Sequence, residues 1–126
     1  FALVRGLGDV YKRQVVFAQK QLNSVAFQQA DAALQTARQE ISKMRTAFYN
    51  IVEQSWNELI SKKKISIKTT RQISSVSRQL VKLCRKHATE VYPYCGLAST
   101  AETSTLNRVF RDLFTASQHA LLTYKQ

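Results

Sequence analysis

Glycine and proline are scarce in this sequence, which has three glycines and one proline, with neither type between Val15 and Tyr92. Both residues interrupt regular secondary structure, so their absence permits long helices. The sequence also lacks a run of about eighteen apolar residues, which a membrane-spanning helix requires. Length and composition therefore predict one largely helical domain without a transmembrane segment.

Cysteine is equally rare. The two cysteines, Cys84 and Cys95, form no CxxC pair, and no cysteine or histidine has the spacing of zinc ligands. We therefore expect no metal site. Two unpaired, buried or half-buried thiols are the expectation for a protein of the reducing cytoplasm.

Acidic residues are few, with 8 Asp and Glu against 19 Lys and Arg, which gives a formal net charge of +11. Such a charge suits nucleic acid, an acidic membrane surface or an anionic cofactor, and composition does not choose among them. The basic residues are spread over the whole chain without a helix-turn-helix spacing. Nucleic acid is therefore the less favoured partner. Because the sequence has no segment long and apolar enough to span a membrane, we expect no membrane partner.

Three helices follow from the spacing of the apolar residues. The first is predicted over about 25–60, where apolar residues recur every three or four positions. Ser66 is placed to cap a second helix, which Pro93 stops, and Ser104 to cap a third over about 105–124. Because short connections favour antiparallel neighbours, the predicted fold class is all-α, an antiparallel up-and-down helical bundle.

Several residues of these helices allow more than one interpretation. The run 61–64, SKKK, suits the negative end of a helix dipole, and we favour this over a phosphate- or nucleic-acid-binding patch. His87 lies on an apolar face and is predicted to be packed or to contact the helix dipole, not to bind a ligand. Met44, Phe48 and Trp56 are predicted to belong to the core.

The stretch 106–119, LNRVFRDLFTASQH, has the most informative pattern. At about 100° per residue, a helix here places Arg108, Asp112, Thr115 and His119 in one polar stripe opposite a broad apolar face. Such a stripe is usually solvated, with Arg108 and Asp112 as an i,i+4 pair.

The same stretch resembles the last helix of the acyl-CoA dehydrogenase fold, and more narrowly the C-terminal domain of its flavin-dependent monooxygenase branch. Those domains carry a Pro-Leu-x-Arg-x-x-Arg-Asp-Leu motif followed by Ala and His. The sequence matches it with threonine in place of proline: Thr105, Leu106, Arg108, Arg111, Asp112, Leu113, Ala116 and His119. The resemblance covers about 24–122.

This resemblance implies that the parent protein is a cytoplasmic, FAD-containing oxidoreductase, with FMN as the alternative, that forms a homotetramer through its helical domain. A flavin reductase is a further implied partner. The histidine matching His119 faces flavin and substrate in the monooxygenase branch, so His119 is the candidate catalytic residue. Gly96, in a loop that approaches the flavin in the family, and Arg108 and Arg111 are the candidate cofactor-binding residues.

Two alternatives stay open. Many dehydrogenases of the fold carry their catalytic glutamate at the position of Ala120, and no carboxylate follows Asp112. The first alternative is therefore a dehydrogenase whose base lies elsewhere. The second is a protein without redox chemistry, either a basic module that binds nucleic acid or an acidic partner, or a purely structural bundle.

Residues 1–14, FALVRGLGDVYKRQ, resemble a translated sequencing adapter and are predicted not to belong to the fold. Within them, 9–14 matches the transposon end and 5–8 its continuation. The domain would then be 15–126, three helices of an incomplete four-helix C-terminal domain. Such a fragment is expected to be inactive alone.

Overall fold

The structure, a computed structural model, describes residues 25–123. Within that range it contains three α-helices and no strand: α1 (Val25–Lys62), α2 (Ile67–Val91) and α3 (Thr105–Ala116). Two 3₁₀ helices, Tyr92–Cys95 and Leu97–Thr100, connect α2 to α3. The all-α prediction is confirmed. The prediction for 1–14 lies outside the described residues.

α1 and α2 form an antiparallel hairpin, as two polar contacts along its length show. Near the turn, Glu58 accepts hydrogen bonds from the backbone N–H and the hydroxyl of Ser66, both at 3.2 Å. Far from the turn, Glu40 Oε2 lies 2.7 Å from His87 Nε2. Residues earlier in α1 therefore contact residues later in α2, which is the antiparallel arrangement that the short connection predicts.

α3 lies antiparallel to α2 on the side away from the turn. The Arg85 guanidinium carbon is 4.8 Å from the ring centre of Phe114, and Arg78 Nε donates to the Leu121 carbonyl at 3.2 Å. The Phe110 ring stacks on Phe114 with centroids 4.5 Å apart. Arg85 thus contacts an aromatic side chain of α3, and Arg78 holds the segment that follows α3 against α2.

The predicted helix boundaries are confirmed at both serine caps. The Ser66 hydroxyl accepts from the Thr69 backbone N–H at 3.2 Å, and the Ser104 hydroxyl accepts from that of Asn107 at 3.5 Å. Each serine therefore satisfies one of the N–H groups that a helix start leaves without a partner. α2 ends at Val91, before the proline, as predicted.

One buried cluster joins the three helices at the end where α3 packs. Leu106 is completely buried at its centre, with a relative exposure of 0%. Alanines on α1 allow α2 and α3 to approach closely, and larger side chains fill the remaining space. The cluster consists of Ala30, Leu34, Ala37, Ile41, Cys84, Ala88, Val91, Cys95, Leu106, Val109 and Leu113.

The predicted length of the third helix is wrong, since α3 ends at Ala116. The Ser117 hydroxyl donates to the Phe114 carbonyl at 2.9 Å, and the Thr123 hydroxyl donates to that of His119 at 3.1 Å. Such hydroxyl bonds compete with helical backbone bonds. The chain then continues in turns, anchored where Arg78 holds the Leu121 carbonyl.

The predicted core position of Trp56 is also wrong, because its side chain is 60% exposed. Met44 and Phe48 are half-buried, and Ile51 nearby is buried. The neighbouring Ser55 is buried, so α2 covers one side of α1 at this level and Trp56 lies on a side that it leaves open. A periodic apolar face is buried only where a neighbour packs against it.

Candidate functional site

Gly96 lies between the two 3₁₀ helices, where the chain reverses direction. Its φ of 71° is in the left-handed region that favours glycine, and its ψ is 174°. A Cβ built on Gly96 meets nothing within 4 Å. Gly96 is therefore explained by its backbone conformation, and its surface is open.

Arg108 and Arg111 are both exposed on α3, opposite Leu106, Val109 and Leu113, which are buried. The predicted division of this helix into a polar and an apolar side is thus confirmed. Within residues 25–123 no salt bridge joins Arg108 to Asp112.

His119 is not on α3, since the helix ends three residues earlier. The predicted alignment of His119 with the polar stripe is therefore wrong. Its side chain is exposed, and its Nδ1 accepts a hydrogen bond from the Leu121 backbone N–H at 3.3 Å. An accepting Nδ1 places the proton of the neutral ring on Nε2, which makes Nε2 the donor.

These candidate residues do not form an enclosed flavin site within the described part of the chain. Gly96, Arg108, Arg111 and His119 are all exposed, and the open space above Gly96 is not a cradle that a side chain would fill. Binding sites for cofactors normally bury most of the ligand. The described residues therefore do not fit a flavin by themselves.

A histidine and two glutamates form a polar cluster that the sequence reasoning missed. His87 is 2% exposed, as predicted for a packed residue. Its Nε2 lies 2.7 Å from Glu40 Oε2 on α1, and its Nδ1 lies 2.9 Å from Glu90 Oε2 on the same helix. Lys86 Nζ is 3.8 Å from the same Glu40 oxygen.

The chemistry of this cluster is that of a cross-link between helices. Both contacts of His87 to ionised carboxylates are hydrogen bonds only when both ring nitrogens carry a proton. The hydrogen bond from His87, helped by the positive charges of Lys86 and Lys43, lowers the pKa of Glu40. The cluster thus holds α1 and α2 in register.

A second polar cluster fixes the turn of the hairpin. Hydrogen bonds from the Thr69 side chain and the Ser66 backbone N–H, with the nearby charge of Lys62, lower the pKa of Glu58 to about 2. The Lys62 Nζ to Glu58 Oε1 distance is 3.5 Å. Glu58 therefore joins the end of α1 to the start of α2.

The two cysteines are free and buried, as predicted. Burial raises the pKa of both thiols, and that of Cys95 to about 11, so both are protonated and unreactive at neutral pH. The described residues contain no cluster of metal ligands. No described helix is long and apolar enough to cross a membrane.

The family model described as acyl-CoA dehydrogenase, C-terminal domain, matches residues 6–124. No curated protein matches the chain, and no solved structure does.

Proposed function

The chain belongs to the acyl-CoA dehydrogenase C-terminal domain family, and we propose that it is the C-terminal part of a flavin-dependent monooxygenase. The family generally binds FAD and points to an oxidoreductase parent. The observation that carries the proposal is the family match over residues 6–124, which includes the motif ending at His119. FAD is the proposed cofactor, with FMN as the alternative.

His119 is the proposed catalytic residue. Its Nδ1 accepts from the Leu121 N–H, so the neutral ring can offer the proton on Nε2 to an oxygen of the substrate. Its exposure here supports a site that is completed by other parts of the parent protein.

The loop around Gly96 is the proposed place where this domain meets a neighbouring subunit. Leu97 is 88% exposed and Tyr94 is exposed beside it, so the loop presents apolar side chains next to an open glycine. Exposed apolar patches mark interaction sites. We propose that the parent is a homotetramer, that Gly96 approaches the cofactor of a neighbour, and that Arg108 and Arg111 line the same region.

The candidate residues are exposed and do not form an enclosed cofactor site by themselves, so the domain alone is proposed to be inactive. The alternative is a dehydrogenase of the same fold with its base in another part of the protein. Both proposals require a bound flavin, and they differ in whether reduced flavin and oxygen, or an acyl thioester, drive turnover.

The test is to express the uninterrupted gene and record the visible absorption spectrum of the purified product. A flavin spectrum is the expected result. Substrate oxidation by reduced flavin and oxygen should then fall by about 10²-fold in His119→Ala, while the neighbouring control Gln118→Ala keeps its activity. Turnover of acyl thioesters that survives His119→Ala would favour the dehydrogenase.

A colourless protein that takes up no added flavin would overturn the proposal. If that protein bound nucleic acid with a steep dependence on salt, the basic module would replace it.

A further inference from the structure

The turn end of the α1–α2 hairpin, residues 56–71 and here called the hairpin tip, exposes large apolar side chains. Ile67 is 73% exposed and Trp56 is 60% exposed, and Ile60 and Ile65 are exposed between them. We propose that the hairpin tip docks on an anionic lipid surface. This proposal is independent of the flavin chemistry proposed above.

The hairpin tip is also strongly basic. Its only carboxylate is Glu58, which is occupied by Ser66 and by Lys62. Within residues 25–123, no carboxylate is within salt-bridge distance of the other basic residues of the tip, Lys63, Lys64, Lys68 and Arg71. The tip therefore carries a concentrated positive charge that its single carboxylate, Glu58, offsets only in part.

The helix dipole explains the lysines at the end of α1 but not the cation at the start of α2. Lys68 lies in the first turn of α2, where the helix dipole is positive and acidic residues are preferred. Lys63 has a φ of 58°, a left-handed conformation that costs a lysine more than a glycine. Lys68, by its charge, and Lys63, by its backbone conformation, thus occupy positions that the helices themselves do not favour, which points to a role outside the fold.

The basic residues further along α2 are different, because they have partners inside the molecule. Arg78 donates to the Leu121 carbonyl, Arg85 lies over the Phe114 ring, and Lys86 pairs with Glu40. Along α2, the described cations without such a partner are therefore those of the hairpin tip, Lys68 and Arg71.

A lipid surface fits both properties of the tip. Each lysine near an anionic membrane contributes about 1 kcal/mol, or about fivefold in affinity. Isoleucine and tryptophan side chains gain by entering the boundary between headgroups and acyl chains. Nucleic acid satisfies the charge but offers no comparable place for three exposed isoleucines. The earlier expectation of no membrane partner rested on the lack of a spanning segment, which surface docking does not need.

Trp56 allows a direct test because it is the only tryptophan of the chain. The 126-residue chain is mixed with vesicles of phosphatidylcholine alone, or of equal parts of phosphatidylcholine and phosphatidylserine. We expect the tryptophan emission to shift to the blue and the protein to sediment with the vesicles only when phosphatidylserine is present. Added salt should weaken the binding, because screening acts on exposed charges.

Two pairs of substitutions, together with a matched control pair, separate charge from apolar contact. Lys63→Gln with Lys64→Gln should weaken binding by about thirtyfold, at about 1 kcal/mol for each lysine. The matched control, Arg38→Gln with Lys43→Gln, removes the same charge from exposed positions of α1 outside the tip and should change affinity far less. Ile60→Ser with Ile67→Ser should weaken binding by at least about tenfold and reduce the blue shift.

Several results would overturn the proposal. Equal binding to both vesicle types, equal loss in the control pair, or no vesicle binding at all would each exclude specific docking by the tip. A blue emission before vesicles are added would mean that protein already covers Trp56. Tight binding of RNA or DNA without vesicle binding would assign the basic surface to nucleic acid.

Discussion

The two ends of the α1–α2 hairpin both carry apolar side chains but differ in what covers them. At the end where α3 packs, Leu106 is completely buried and the side chains of three helices interlock. At the hairpin tip, Trp56 and Ile67 face outward because only two helices are present. Two helices bury one face of each other and leave the remaining faces open, so a third layer decides which apolar residues become core.

Polar contacts show the same difference in another form. His87 lies inside the covered end, where its carboxylate partners are on two helices. Glu58 lies at the tip and holds the turn through Ser66 and Thr69. The covered end combines packing with a buried polar cross-link, whereas the tip depends on capping, hydrogen bonds and the Lys62–Glu58 ion pair.

Truncation of Leu106, at the centre of the buried cluster, should cause the largest loss in the free energy of unfolding. Leu106→Ala removes a completely buried side chain and should lower the free energy of unfolding by about 3 kcal/mol. Ile60→Ala at the tip removes a similar side chain that is mostly exposed and should cost less than about 1 kcal/mol. Chemical denaturation followed by circular dichroism gives both values. Equal losses would show that the tip is also a packed surface.

Substitution of the buried His87 should cause the next largest loss of stability. His87→Ala removes two hydrogen bonds and leaves a gap between the helices, so we expect a loss of about 2 kcal/mol in the free energy of unfolding. Glu90→Gln removes charge at an exposed partner and should cost less, because water can replace the contact. The same denaturation experiment compares them. A negligible loss in His87→Ala would mean that packing alone holds this end.

The periodic pattern of the sequence predicts most of this architecture. Local rules are sufficient for the helix pair, because Ser66 and Ser104 are strong caps and Pro93 interrupts the second helix. The end of α3 was missed because apolar residues continue past Ala116 while hydroxyl groups redirect the backbone. Exposure of Trp56 was missed because periodicity shows which face is apolar but not how far a neighbour extends.

The Glu40–His87 pair was within reach of sequence reasoning. The two residues are nearly equally far from the turn, on opposite sides of an antiparallel hairpin, so register places them at the same level. The pairing is not among the predictions, because periodicity within each helix does not compare residues across the turn. The location of His119 required the structure, because its position depends on where α3 ends.

The turn should show its own acid sensitivity. The folded pKa of Glu58 is about 2, against a reference value of 4.5. A lowered pKa stabilises the fold above the unfolded value, so this contribution is complete above pH 4.5 and is lost as the pH falls towards 2. The stability difference between the natural chain and Glu58→Gln should therefore shrink over this range. Denaturation at several pH values measures it, and a constant difference would contradict the role of Glu58.

The smallest expected effect on stability is that of Lys63→Gly, which also separates stability from vesicle binding. Lys63 has a positive φ at the end of α1, so Lys63→Gly should relieve backbone strain and raise the free energy of unfolding by about 0.5 kcal/mol. The same substitution removes one cation from the hairpin tip and should weaken binding to phosphatidylserine vesicles by about fivefold. Denaturation and vesicle sedimentation on one variant give both numbers. If Lys63→Gly lowered stability, the strain argument would fail; if it left vesicle affinity unchanged, Lys63 would contribute nothing to docking.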